Sequence, residues 1–139
     1  MADTHGNLPA STLPRLREAD EIWHLGDFCN WDILSAVQGL GPPFYGVLGN
    51  NDWSLDLPRH LMLERGGRTF FLIHIPPLHP QGADFLLHGH THLPRDETVG
   101  TTRILNPGSI GKADKGAPAS WAWLDISESG DVVWQVNHV

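Results

Sequence analysis

The chain has 139 residues, 40% of them hydrophobic and 18% charged, which is the size and composition of one globular domain spanning residues 1–139. Its formal charge of −7 excludes a strong nucleic-acid surface, which needs a basic face, and no apolar run is long enough to span a membrane as a helix. The single cysteine, Cys29, excludes an internal disulfide framework and a multi-thiolate zinc site. With no basic-plus-apolar leader at the N-terminus, a reducing cytoplasmic location is the simplest expectation, and His, Asp, Glu and Asn are left as metal ligands.

In chain order, Met1–Asn7 reads M-A-D-T-H-G-N, and an extended backbone would point Asp3 and His5 the same way. Gly6 and Asn7 signal a turn, after which 8–19 predicts an amphipathic helix with Pro9 in its first turn. Residues 21–26, E-I-W-H-L-G, predict a buried strand that delivers Asp27 at its carboxyl end, with His24 inside it as a satisfied core histidine. A second helix is expected over 31–40, stopped by Gly39, Gly41 and Pro42-Pro43. The strand at 44–48 ends in Gly49-Asn50-Asn51-Asp52, which on its own reads as a turn. A short helical turn is expected over 57–63, then a tight Gly66-Gly67 connection into a strand at 68–73 that ends at His74.

The loop 75–81 carries three prolines and His79, a surface position. The strand at 83–87 leads into L-L-H-G-H-T-H-L-P, Leu86–Pro94, where His88, His90 and His92 alternate. Of these, His90 and His92 are placed to bind the same or neighbouring metal ions, and His88 is a supporting strand-end group. A short strand at 102–105 ends in Asn106-Pro107-Gly108-Ser109. The chain closes in a hairpin, 120–126 with 131–136, whose Trp121, Trp123 and Trp134 read as core rather than as a stacking platform.

An apolar strand thus repeatedly delivers Asp27, Asn50, His74 or His90/His92 at its carboxyl end. If these strands are parallel neighbours in one sheet, the polar groups converge along one edge. Oxygen and imidazole donors without thiolate suit Mn, Fe, Zn, Ni or Co better than Ca or Mg alone. Seven such groups, counting Asp3 and His5, exceed the needs of one metal, and two metals form a clamp for phosphoryl chemistry.

On the motifs D-T-H-G (Asp3–Gly6), G-D (Gly26–Asp27), G-N-N-D (Gly49–Asp52), His74 and G-H-T-H (Gly89–His92), the sequence resembles the calcineurin-like metallophosphoesterase superfamily. N-P-G-S at Asn106–Ser109 is similar to a segment of its small bacterial and archaeal phosphodiesterase branch. The resemblance implies a compact four-layer α/β/β/α sandwich and two divalent metals, with Mn preferred and Fe, Zn, Ni, Co or Mg as alternatives. Asp3, His5 and His92 would hold the first metal, Asn50, His74 and His90 the second, and Asp27 would bridge them. The implied reaction is hydrolysis of a small phosphate ester by in-line attack of a hydroxide bridging the metals.

The chain departs from the family pattern in four places. Only two residues precede Asp3, where relatives have a central hydrophobic strand. The expectation is therefore a truncated sheet with Asp3 and His5 badly held, a weak first metal site, and a strand edge that invites pairing with a second copy. Asn51 stands where many relatives place a phosphate-contacting histidine supported by Asp52. Asn cannot supply a proton at neutral pH, so diesters are favoured over alkyl monoesters, with Asn51 and Asp52 as the catalytic positions. His74-Ile75-Pro76 replaces the His-Gly-His of many relatives, and nothing is drawn from Asn30, near a second acidic position of some. The alternative function is a non-catalytic relative, a scaffold as in a retromer subunit or a regulatory binding protein.

Overall fold

The computed structural model describes residues 1–79 and 82–139. Two β-layers meet face to face. The first is built on β1 (Ile22–His24) and β2 (Phe44–Gly46), which are parallel. The second is a five-stranded sheet in the order β3-β4-β5-β7-β6, formed by β3 (His60–Arg65), β4 (Arg68–Ile73), β5 (Phe85–Leu87), β6 (Arg95–Val99) and β7 (Thr102–Asn106). Within it β4, β5 and β7 are parallel neighbours, and β3 and β6 are antiparallel edges. The hairpin β8 (Ser120–Ile126) and β9 (Val132–His138) closes the chain.

The central core joins Leu25 and Val47 of the first layer to Phe70, Leu72, Phe85, Leu87 and Leu105 of the second. Phe70 stacks on Phe85 at 4.8 Å between ring centroids, an aromatic pair worth about 1 kcal/mol beyond its buried area. A second cluster packs Leu16 of α1 (Leu13–Leu16) and Val37 of α2 (Trp31–Gln38) against Ile22, Ile110 and Trp121. Both helices therefore cover the β1–β2 side, and the architecture is a compact α/β sandwich of the expected kind with a reduced strand set. Among the described residues no helix is long and apolar enough to cross a membrane.

Several elements differ from expectation. The helix expected over 8–19 is a 3₁₀ turn, Ala10–Thr12, followed by the single turn α1, because Pro9 and Pro14 interrupt the run of backbone donors. The helical turn expected over 57–63 is absent: His60–Arg65 is the strand β3, with Leu61 and Leu63 turned inward, paired to β4 across Gly66-Gly67. The unforeseen β6 is a largely exposed charged edge strand, so it shows no hydrophobic alternation. Of the proline loop, Pro80 and Gln81 lie outside the described residues. The polar groups come from both layers rather than from one sheet: Asp27 and Asn50 follow β1 and β2, and His74 and the histidines of 88–92 follow β4 and β5.

The N-terminal segment is held more firmly than expected. Met1 O accepts from Leu25 N, Asp3 N donates to Gly26 O, and on the other side Ile110 N and Gly111 N donate to Ala2 O and Asp3 O. Met1–Asp3 thus lies between the end of β1 and 110–111, and Asp3 is fully buried. Beside it, a groove of about 710 Å³ runs between the β1 and β8 sides, lined by Trp23, Trp121, Trp123 and Trp134 among others.

Two buried histidines support this frame as neutral rings. His24 Nδ1 accepts from Gly26 N and Nε2 donates to Thr4 Oγ1, with the ring stacked on Phe28 at 3.7 Å. His88 Nδ1 donates to Gly89 O at 2.9 Å, which leaves Nε2 to accept from Arg95 Nη1. Burial pulls the His88 pKa down to about 4. A group whose folded pKa is depressed stabilises the fold above its unfolded value of 6.5 and loses that contribution as pH falls toward 4, here about 3 kcal/mol. Buried Asp3, raised to about 6, acts in the opposite direction, so a difference measurement is needed. Between pH 7 and 4 the unfolding free energy of the unsubstituted chain should fall relative to that of His88→Gln; parallel pH curves would show that His88 titrates alike in both states.

Candidate metal centre

Five loops converge where the two layers meet. Asp3 and His5 follow the N-terminal segment, Asp27 follows β1, Asn50–Asp52 follow β2, His74 follows β4, and His90 and His92 follow β5. Among the described residues, two sets of donor atoms cluster closely enough for one ion each: Asp3, His5 and His92, and Asp3, Asp27 and His74. Asp3 takes part in both.

In the first group His5 Nε2 lies 3.0 Å from His92 Nε2, and His92 Nε2 lies 3.4 Å from Asp3 Oδ1. In the second, His74 Nδ1 donates to Leu25 O at 2.7 Å, so Nε2 presents a lone pair toward Asn50 Oδ1 at 2.9 Å and Asp27 Oδ2 at 3.5 Å. Asn50 Oδ1 is also 2.9 Å from His90 Nδ1, and the exposed His90 ring sits edge-on to His74. Asp27 Oδ2 stands between the groups, 3.6 Å from His5 Nε2 and 3.5 Å from His74 Nε2. Acceptor atoms facing one another at these distances repel unless a proton or a cation lies among them. The donor set, imidazole nitrogens and carboxylate or amide oxygens without thiolate, fits a pair of divalent transition ions.

Proton affinities reflect that crowding. Burial lifts the Asp3 carboxyl to about 6. Burial would also raise Asp27, but its contacts with His74 and with the Asn51 backbone and side chain hold it well below the usual carboxylate range. Burial works against a charged His74, yet Asp27 and the Leu25 carbonyl raise it above the ordinary imidazole value. His5 and His90 are lowered, first by burial, with Lys112 acting on His5 and Lys115 on His90. These lysines put positive charge at the mouth of an otherwise acidic molecule.

The backbone is strained where the donors sit. Among the described residues, seven non-glycine residues have positive φ: Asp3, His5, Asp27, Cys29, His90, His92 and Lys115. Five are donor residues, Cys29 touches His5 Nδ1 at 3.5 Å, and Lys115 neighbours the site; such outliers cluster where function over-determines the backbone. Glycines supply the close approaches. A Cβ at Gly49 would overlap Asp27 Oδ1, and one at Gly89 would stand 2.9 Å from Asp3 Oδ2.

Of the other positions singled out from sequence, Asn51 N and Nδ2 donate to Asp27 Oδ1 and Oδ2 at 2.9 and 2.7 Å. Asp52 is buried, and its carboxylate accepts from the backbone of Asp27, Gly49 and Cys29 at 2.7–2.8 Å, tying two donor loops together. Asn30 accepts from Ile33 N as the N-cap of α2. Trp53, 91% exposed, lies at the rim of a cleft of about 460 Å³ that opens beside Asn50 and His74.

Three supporting roles were not read from the sequence, two of them in the N-P-G-S segment singled out there. Asn106 Nδ2 donates to Gly89 O and Thr91 Oγ1, and Ser109 Oγ donates to Asp3 O, so the N-P-G-S segment buttresses both the histidine loop and Asp3. Asp114 Oδ2 lies 2.6 Å from His92 Nδ1. Nothing around Asp114 in the sequence marks it, because the contact joins residues 22 positions apart across a loop.

The model of the calcineurin-like phosphoesterase superfamily domain matches residues 1–129. The chain belongs to this superfamily. A protein named "Probable metallophosphoesterase" from Methanocaldococcus jannaschii is 31% identical over 127 residues, covering 78% of this chain; the chain spans 65% of that relative's length. Vps29 from Entamoeba histolytica, in a structure described as complexed with Zn²⁺, superposes with a TM-score of 0.77 at 22% identity, covering 98% of this chain and 95% of that one. YfcE, described as a phosphoesterase from Escherichia coli, superposes with a TM-score of 0.75 at 25% identity over 95% of this chain and 93% of that one. The superfamily fold and the two donor clusters together make this a metallophosphoesterase-type site.

Proposed function

We propose that the chain binds two divalent metal ions, Mn foremost, and hydrolyses small phosphodiesters. The observation that carries this reading is the position of Asp27 Oδ2, nearly equidistant from His5 of one donor group and His74 of the other. When bound, the ions lower the pKa of water and screen charge on the phosphate oxygens. The chain's own residues supply the rest. Asp3, His5 and His92 would hold one ion and Asn50, His74 and His90 the other, with Asp27 available to both.

His74 Nδ1 keeps its proton and donates it in a hydrogen bond to Leu25 O, which keeps Nε2 turned to the centre. Asn51 Nδ2 reaches the shared carboxylate and, turned outward, offers a hydrogen bond to a phosphate oxygen. It offers no proton to a leaving group, which favours diesters or esters whose alkoxide leaves unaided. Asp52 acts by fixing the loops that carry Asp27 and Asn50. Lys112 and Lys115 attract the anionic substrate toward the cleft. The relative named a phosphoesterase, superposing over 95% of this chain, supports the reading.

A second reading is a metal-binding scaffold with no turnover. It draws more support from the whole-chain comparisons, since the Vps29 likeness extends over 98% of the chain and that structure is described with Zn²⁺. A third role, regulatory binding of a metal or nucleotide, would use the same donors.

Hydrolysis of an aryl phosphodiester by Mn-loaded protein separates the readings. The diesterase reading expects turnover that disappears with chelator and falls by at least about 100-fold in Asp27→Ala and His90→Ala. Metal uptake without turnover would leave the scaffold reading, and turnover unchanged in both variants would overturn the proposed centre. Asn51→His should raise monoesterase activity by at least about tenfold by restoring a proton donor, as compared in metal-loaded protein; no gain would count against the reason given for diester preference.

A further inference from the structure

The rings of His74 and His92 are both fixed through Nδ1, but by unequal means. His74 is held by the buried carbonyl of Leu25, part of the core. His92 is held by the carboxylate of Asp114, a half-buried side chain on a surface turn. That turn is a built device. Asp114 N donates to Ala117 O at 3.0 Å and Ala117 N to Asp114 O at 2.9 Å, a closed four-residue hairpin whose central residues, Lys115 and Gly116, both have positive φ.

Within the turn, Asp114 Oδ1 accepts from Lys115 N at 2.9 Å, which fixes the carboxylate plane and aims Oδ2 at His92. Lys115 Nζ then donates to Thr91 O at 3.0 Å, so the turn grips the histidine loop at two adjacent residues. The gripped loop needs holding, because His90 and His92 both carry positive φ.

We propose that the Asp114–Ala117 turn is a clasp: Asp114 keeps His92 in the Nδ1–H tautomer with Nε2 directed at Asp3 and His5, and thereby sets metal affinity at that group alone. Asp114 is a positioning residue in this account and does not touch substrate. A carboxylate behind a ligating imidazole fixes its orientation and strengthens it as a donor, and loss of such a partner costs about 10–100-fold in metal affinity. The ring of His74, held by Leu25 O, owes nothing to the turn. The two histidines therefore differ in how their rings are held, His74 through the core and His92 through a surface turn. The inference rests on the metal-binding reading and is independent of whether the chain turns over a substrate.

The test compares the unsubstituted chain with Asp114→Asn and Asp114→Glu, by Mn and Zn titration calorimetry and by ¹⁵N NMR of the His92 ring in metal-free protein. Expected are two binding events in the unsubstituted chain. In Asp114→Asn one of them should be weakened by about 10–100-fold with the other unchanged, and Asp114→Glu should recover affinity. The His92 resonances should show Nδ1–H in the unsubstituted chain and a mixed population in Asp114→Asn, a change that general loosening of the turn would not produce in the glutamate variant. Two unchanged affinities and an unchanged tautomer in Asp114→Asn would overturn the clasp. Folded, unsubstituted protein that takes up neither metal would overturn the metal-binding reading instead, and the tautomer comparison would still decide whether Asp114 orients His92.

Discussion

Asp27 Oδ2 is the atom on which the site depends. It sits 3.6 Å from one histidine and 3.5 Å from another, and these belong to chain segments nearly seventy residues apart. Carboxylate and imidazole acceptors held this close are unfavourable without a cation or protons between them, so the fold must supply the energy that keeps them there. It does so by tying each loop to a neighbour through backbone bonds. Asp52 alone fastens the Asp27, Cys29 and Gly49 amides, and Asp3 fastens the amide of His90.

The strain in these loops follows from the same requirement. Five of the donors, Asp3, His5, Asp27, His90 and His92, turn toward the centre in a left-handed conformation that costs a non-glycine residue roughly 1–2 kcal/mol. The core between the two β-layers, with Phe70, Leu72 and Leu105 fully buried, offsets that cost. The N-P-G-S segment and the Asp114 turn brace the histidine loop from outside the core, where the strain is least supported by packing.

Much of the candidate site was legible in the sequence because each motif is short and local, and most follow an apolar run. D-T-H-G, G-D, G-N-N-D and G-H-T-H pair a donor with a glycine, and the structure shows why: Gly49 and Gly89 leave room for Asp27 and Asp3. Their meeting from two β-layers instead of one sheet was not legible, since strand parity says nothing about which sheet a strand joins. The exposed edge strand β6 and the strand β3 escaped notice because charge at an edge and a preceding proline mask alternation. The secure seat of Asp3 depends on backbone bonds to Gly26 and Gly111, which carry no side-chain signature. Asp114 was invisible for a related reason, as its partner lies across a loop.

The central claim is a pair of metals sharing Asp27, and electron paramagnetic resonance of the protein titrated with Mn²⁺ addresses it directly. A shared carboxylate with the two donor groups this close predicts that, near two equivalents, the spectrum changes from that of isolated Mn²⁺ to that of a spin-coupled pair. A spectrum of uncoupled Mn²⁺ at every loading, or of free Mn²⁺ throughout, would contradict it.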